Sequence, residues 1–117
     1  MKVDFYRHAL GEAEQRSVIE CLGGLFLTSG DYVLEFERLF AGYLGPSLRC
    51  VGLNSCTAAL HLSLLALDIG GGDEVITTPM TFIATATAIM HTGARPVFVD
   101  VEPATGLLDC DRVEKAI

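Results

Sequence analysis

With 117 residues, the chain fits one ordinary domain; half of it is apolar and a fifth is charged, a balance that excludes a disordered tail. A net charge of −7, with eight Lys and Arg scattered along the sequence, gives no basic patch and points away from a nucleic-acid partner. Cys21, Cys50, Cys56 and Cys110 form no CxxC pair and the start has no apolar leader, so the expectation is a reduced, cytoplasmic protein with buried thiols, no membrane span and no metal.

Residues 1–45 read as an amino-terminal helical segment. Residues 12–22 carry Val18, Ile19 and Leu22 on one side and charges elsewhere. Residues 31–44 place Val33, Leu34, Phe36, Phe40 and Leu44 largely on one face, with Glu35, Glu37 and Arg38 towards solvent. Asp31 is the expected N-cap of this second helix, and Gly45-Pro46 its end.

From residue 46 to residue 117 the pattern changes to strand and helix in alternation. Residues 49–53 are β-like. Residues 57–67, rich in Ala and Leu and apolar on most sides, predict a buried helix that Gly70-Gly71-Gly72 stops. Residues 74–78 predict a strand closed by Pro79, residues 82–91 a helix with Thr81 as N-cap and Gly93 past its end, and residues 96–101 a strand through Val97, Phe98 and Val99. Continuous apolar runs of this kind suit a parallel sheet covered on both faces. A last helix starts at Cys110 behind Asp109. The alternation is an α/β pattern with right-handed crossovers, and ligands in such sheets bind beyond the carboxyl ends of the strands.

The loops after Leu53, after Thr78 and after Asp100 are therefore the places to look, and the first two carry motifs. Leu53-Asn54-Ser55-Cys56-Thr57-Ala58 joins a strand to a helix that opens with small and hydroxyl residues, the setting in which free N–H groups and the helix dipole hold a phosphate. Ordinary capping by Ser55 or Thr57 is the competing reading, and the loop is not a Walker loop. In Thr78-Pro79-Met80-Thr81-Phe82, the Phe82 ring either stacks on a flat ligand at the same sheet edge or packs in the core. A generic dinucleotide site lacks its GxGxxG.

The stretch from Cys50 to Leu62, then Gly72-Asp73-Glu74-Val75-Ile76-Thr77-Thr78-Pro79, Thr81-Phe82-Ile83-Ala84-Thr85 and Gly93-Ala94-Arg95-Pro96-Val97-Phe98-Val99-Asp100-Val101, resembles the DegT/DnrJ/StrS family of nucleotide-sugar aminotransferases. Phe26-Leu27-Thr28-Ser29-Gly30 and Phe36-Glu37 resemble that family's amino-terminal segment. The resemblance implies part of the large domain of a fold-type-I pyridoxal-phosphate enzyme, a three-layer α/β/α arrangement on a mostly parallel sheet, here incomplete. It also implies a homodimeric parent that moves an amino group from an amino acid, commonly glutamate, to a keto-sugar on a nucleotide.

By the same resemblance Ser55, Cys56 and Thr57 form the phosphate cup and Phe82 stacks on the pyridine ring. Ser29 and Gly30 lie near the active-site mouth, towards the partner subunit. The family commonly has Gly where Cys56 stands, and the added side chain narrows the approach. The Schiff-base lysine and the acid facing the pyridine nitrogen come later in that family; Lys2 and Lys115 are the only lysines here and match neither position, nor does Asp100 match the acid. His8, His61 and His91 read as packing or surface residues. A dehydratase relative, with histidine for that lysine, and a non-catalytic remnant are the alternatives. In the parent fold, later strands lie between residues 49–53 and residues 74–78. The chain on its own is therefore expected to be poorly stable, aggregating or dependent on a complementing fragment.

Overall fold

The computed structural model describes residues 3–4, 6–28 and 30–117. They divide into two compact units, Met1–Gly52 and Leu53–Ile117.

The first unit contains two helices, α1 (Glu12–Leu22) and α2 (Asp31–Leu44), with the bounds that periodicity predicts. At the start of α1 the Gly11 N–H donates to Glu14 Oε2 at 2.6 Å, satisfying one donor that a helix start leaves free. That bond holds the Glu14 carboxyl below the usual carboxylate range. The N-cap of α2 is Gly30, not Asp31; Asp31 sits in the first turn, where its charge suits the positive end of the helix. Phe36 and Phe40 stack at 5.6 Å, yet both rings are exposed, and neither helix has a buried residue. Glu35 and Arg38 are exposed, as patterning predicts, and form a bidentate pair. Glu37 departs from the prediction: it is half-buried, because Val33, Glu37 and Ala41 follow one another at helical spacing on the side that meets Gly52.

Residues 49–53 are not a strand in this structure. A strand exists only through its ladder, and among the described residues none pairs with this segment.

The second unit is α/β. It runs α3 (Cys56–Ala66), β1 (Glu74–Thr77), α4 (Ile83–His91), β2 (Arg95–Phe98) and α5 (Cys110–Ala116). β1 and β2 pair in parallel, with Glu74 opposite Arg95 and Thr77 opposite Phe98. The Arg95 and Val99 N–H groups donate to Asp73 and Thr77 carbonyls at 2.9 Å, so Pro96, which has no N–H, falls where its nitrogen faces away from β1. β2 is shorter than the apolar run over 96–101 because its ladder ends with its partner, just ahead of Pro79.

Helix α3 ends earlier than the triple glycine suggests. Asp68 takes the left-handed conformation at φ 59, and the Asp68 and Ile69 N–H groups close back on the Leu65 and Leu64 carbonyls, a Schellman ending made without glycine. Gly93 does the same work after α4 at φ 88, as expected. Phe82 rather than Thr81 is the N-cap residue of α4; the Thr81 hydroxyl instead meets that of Thr85 at 3.0 Å. Asp109 caps α5 through Asp111 and Arg112, as its position predicts.

The core is small. Among the described residues Ala88, Ile89, Ala94 and Val99 are the buried apolar ones, and they lie in and around α4 and β2. Phe98 at the end of β2 is exposed, and α3 contains no buried residue although its composition predicts burial. An open apolar groove of about 240 Å³ runs between α3, β1 and α4, lined by Leu60, Leu64, Val75, Ile76 and Ile89 among others. The four cysteines are free, and none is buried, contrary to expectation: Cys21 and Cys50 are half-buried, Cys56 and Cys110 exposed. Among the described residues no helix is long and apolar enough to cross a membrane, and no group of three or more His, Cys, Asp and Glu could hold a metal.

Candidate functional site

The amino-terminal end of α3 is built by Ser55. Its backbone is extended, at φ −161 and ψ 154, and its Oγ accepts the Ala58 N–H at 3.1 Å while its carbonyl accepts the Ala59 N–H at 3.2 Å. Capping by Ser55 is thus real, but it satisfies only part of the helix end. Among the described residues the Cys56 and Thr57 N–H groups and the Thr57 hydroxyl have no hydrogen-bond partner, and residues 53–57 are exposed. Capping and ligand binding are therefore compatible here.

These groups fit a phosphate monoester. Two N–H donors and a hydroxyl stand at the positive end of an eleven-residue helix, the surrounding side chains are small, and no carboxylate occurs in Asn54-Ser55-Cys56-Thr57-Ala58-Ala59. Cys56 does not require the freedom of glycine: Asp68 is the one non-glycine described residue with positive φ. Its exposed side chain adds bulk at the entrance without straining the backbone.

Phe82 stands at the start of α4, just past the carboxyl end of β1. Its side chain is 77% exposed. It is not buried in this chain, and among the described residues no aromatic ring stacks on it. The Thr78 hydroxyl accepts the Met80 N–H at 3.1 Å, which shapes the loop that presents Phe82. Helices α3 and α4 pack on each other, so both helix starts belong to one unit. His61 and His91, one on each helix, meet edge to face at 5.8 Å, a packing contact as patterning suggests.

Gly30 lies in the first unit, where a Cβ at this position would sit 2.8 Å from the Phe26 carbonyl oxygen, so the close approach requires glycine. Ser29 lies outside the described residues. Asp100 is already engaged: its Oδ1 accepts the Val101 N–H at 2.9 Å and its Oδ2 lies 3.7 Å from Arg112. In the first unit the half-buried Glu37 is a residue that patterning misplaced, and its spacing from Val33 and Ala41 is the signal that locates it.

Residues 8–117 match the DegT/DnrJ/EryC1/StrS aminotransferase family. The chain belongs to this family. Among its relatives are the spore coat polysaccharide biosynthesis protein SpsC of Bacillus subtilis, 46% identical over 92% of this chain and 28% of its own length, and the GDP-perosamine synthase of Caulobacter vibrioides, 42% identical over 89% of this chain and 28% of its own. The pyridoxal-phosphate form of the sugar aminotransferase Spr1654 from Streptococcus pneumoniae superposes with a TM-score of 0.91 at 39% identity, covering 100% of this chain and 30% of that one. The chain thus spans less than a third of the length of these family members, and its small parallel sheet is a part of their fold-type-I α/β architecture.

Proposed function

We propose that this chain supplies the coenzyme-phosphate end of a pyridoxal-phosphate-dependent aminotransferase acting on a nucleotide-linked keto-sugar, with an amino acid, glutamate, as donor. The observation that carries the reading is the open start of α3, with the Cys56 and Thr57 N–H groups and the Thr57 hydroxyl free and exposed. Bound there, pyridoxal phosphate supplies a ring that accepts the electron pair released when the carbon bearing the amino group loses its proton. The chain's own residues bind and orient. Ser55 fixes the helix end, Cys56 and Thr57 donate to phosphate oxygens, and Phe82 covers one face of the pyridine ring and keeps water from it.

The same reading makes the complete protein a cytoplasmic homodimer in polysaccharide or secondary-metabolite sugar synthesis, with Ser29 and Gly30 at the mouth of the site. Free thiols and exposed apolar faces on α1 and α2 support the compartment and the self-association respectively.

A chimera tests it. Residues 8–117 replace the matching segment of the Caulobacter GDP-perosamine synthase, and formation of GDP-perosamine is measured. Retention of activity within about tenfold is expected, since catalytic groups outside the segment are untouched. A chimera that folds but neither retains pyridoxal phosphate nor forms product would overturn the reading.

A further inference from the structure

We propose that Thr85 is a positioning residue for the Phe82 ring, a role that rests on the coenzyme reading above. The ring is exposed, so its direction is set by the backbone that carries it and the rotamers that backbone allows, not by packing around it. Thr85 holds that backbone twice. Its N–H donates to the Phe82 carbonyl at 3.0 Å, and its Oγ1 meets the Thr81 Oγ1 at 3.0 Å. Thr81 and Phe82 are exposed, whereas Thr85 is half-buried and lines the apolar groove with Leu60 and Ile89. The anchored member of the three is therefore Thr85. All of these residues lie in the second unit, together with the Ser55 end of α3.

The use of the Thr85 hydroxyl differs from that of its neighbours. A threonine in a helix ordinarily turns its Oγ1 to a carbonyl three or four residues back. Thr87 does so with Ala84 at 3.3 Å, and Thr92 with Ile89 at 2.8 Å. Thr85 instead reaches past the helix start to the side chain of Thr81, one residue ahead of the N-cap. Upstream, the Val99 N–H holds the Thr77 carbonyl at 2.9 Å, Pro79 has a fixed φ, and the Thr78 hydroxyl accepts the Met80 N–H at 3.1 Å. The backbone is thus tied at the end of β1 and again across Phe82. Removing the hydroxyl bond frees residue 81, and the ring that follows it loses a single direction. Thr85 acts only through Thr81 and the Phe82 backbone.

Equilibrium dialysis of the chain tests this in wild type, Thr85→Val, Thr85→Ser and Phe82→Ala. The probes are inorganic phosphate and pyridoxamine 5'-phosphate, which has no aldehyde to react with lysine. Valine keeps the β-branch and the backbone N–H and removes only the hydroxyl. Thr85→Val is expected to bind pyridoxamine 5'-phosphate about fivefold more weakly than wild type, and Thr85→Ser within about twofold of it. Inorganic phosphate is expected to bind all four within about twofold, with helical circular dichroism unchanged. A packing role would give the reverse order, since serine lacks the methyl group and valine retains it. In a Phe82→Ala background the Thr85→Val loss is expected to vanish, because the hydroxyl acts only through the ring. Undiminished pyridoxamine 5'-phosphate binding by Thr85→Val, a serine variant as weak as the valine one, or a valine loss that persists without Phe82 overturns the proposal. Equal affinity of wild type for the two probes overturns the stacking of Phe82, and this role with it, while leaving the phosphate site in place. Absence of saturable binding of either probe overturns the phosphate reading together with this role.

Discussion

On heating, the purified chain is expected to lose its helical circular dichroism gradually, over several tens of degrees, and to sediment as a concentration-dependent mixture of oligomers. The reason lies in how little each unit buries. The first unit has no buried residue among those described, and the core of the second is Ala88, Ile89, Ala94 and Val99. Burying a large aliphatic side chain stabilises by about 1.5–3 kcal/mol, and only two of these four are that large. Cooperative unfolding requires a core whose loss is shared by all elements, and α3 and α5 contribute no buried residue to it. Leu25, Phe26, Phe36, Tyr43, Phe82 and Phe98 stand exposed instead, and β1 and β2 each have one unpaired edge. Apolar surface and open strand edges of this kind associate. A sharp sigmoidal transition that coincides by far- and near-ultraviolet dichroism, in a monomer, would show that a core larger than Ala88, Ile89, Ala94 and Val99 forms.

Replacing Cys56 by glutamate is expected to weaken pyridoxal 5'-phosphate binding roughly a hundredfold, whereas Cys56→Gly leaves it unchanged or somewhat tighter. A carboxylate at the first residue of α3 is favoured by the helix dipole and competes for the two free N–H groups. It also places a negative charge within a few ångströms of a phosphate that carries nearly two. Like charges at about 4 Å repel by several kcal/mol at the effective dielectric of a protein surface, and a hundredfold change corresponds to about 2.7 kcal/mol, so the estimate already allows for solvent screening. Glycine removes the exposed side chain that narrows the entrance without altering a donor, because the backbone at 56 has ordinary negative φ. The measurement is half-saturation by equilibrium dialysis. Equal binding by the glutamate variant would place the phosphate elsewhere.

The helices of the first unit were legible because their apolar residues recur at helical spacing, and Glu12–Leu22 and Asp31–Leu44 follow directly. The second unit was legible through β-branched runs between Gly and Pro: β1 falls within the first, and β2 overlaps the second over residues 96–98. What failed depends on partners rather than propensity. Residues 49–53 have strand composition but no neighbouring strand, and α3 has a buried composition but no second layer. Local bonding chemistry decided the rest. Asp68 ended α3 ahead of the glycines because a short polar side chain tolerates the left-handed conformation. Glu37 turned inward because the Gly52 amide, fifteen residues away, offered a partner that helical periodicity alone does not reveal. At the site, Ser55 as cap was readable from residue type. That Cys56 and Thr57 are left with free N–H groups follows only from the geometry.

The central claim is that the start of α3 holds the phosphate of pyridoxal 5'-phosphate. Labelling the chain with ¹⁵N-cysteine gives amide signals for Cys21, Cys50, Cys56 and Cys110, and that of Cys56 is identified by its loss in Cys56→Gly. Titration with pyridoxal 5'-phosphate should shift the Cys56 amide saturably, with the Cys21 and Cys110 signals unmoved and pyridoxal without effect. A Cys56 amide that stays in place while pyridoxal 5'-phosphate binds elsewhere on the chain would contradict it.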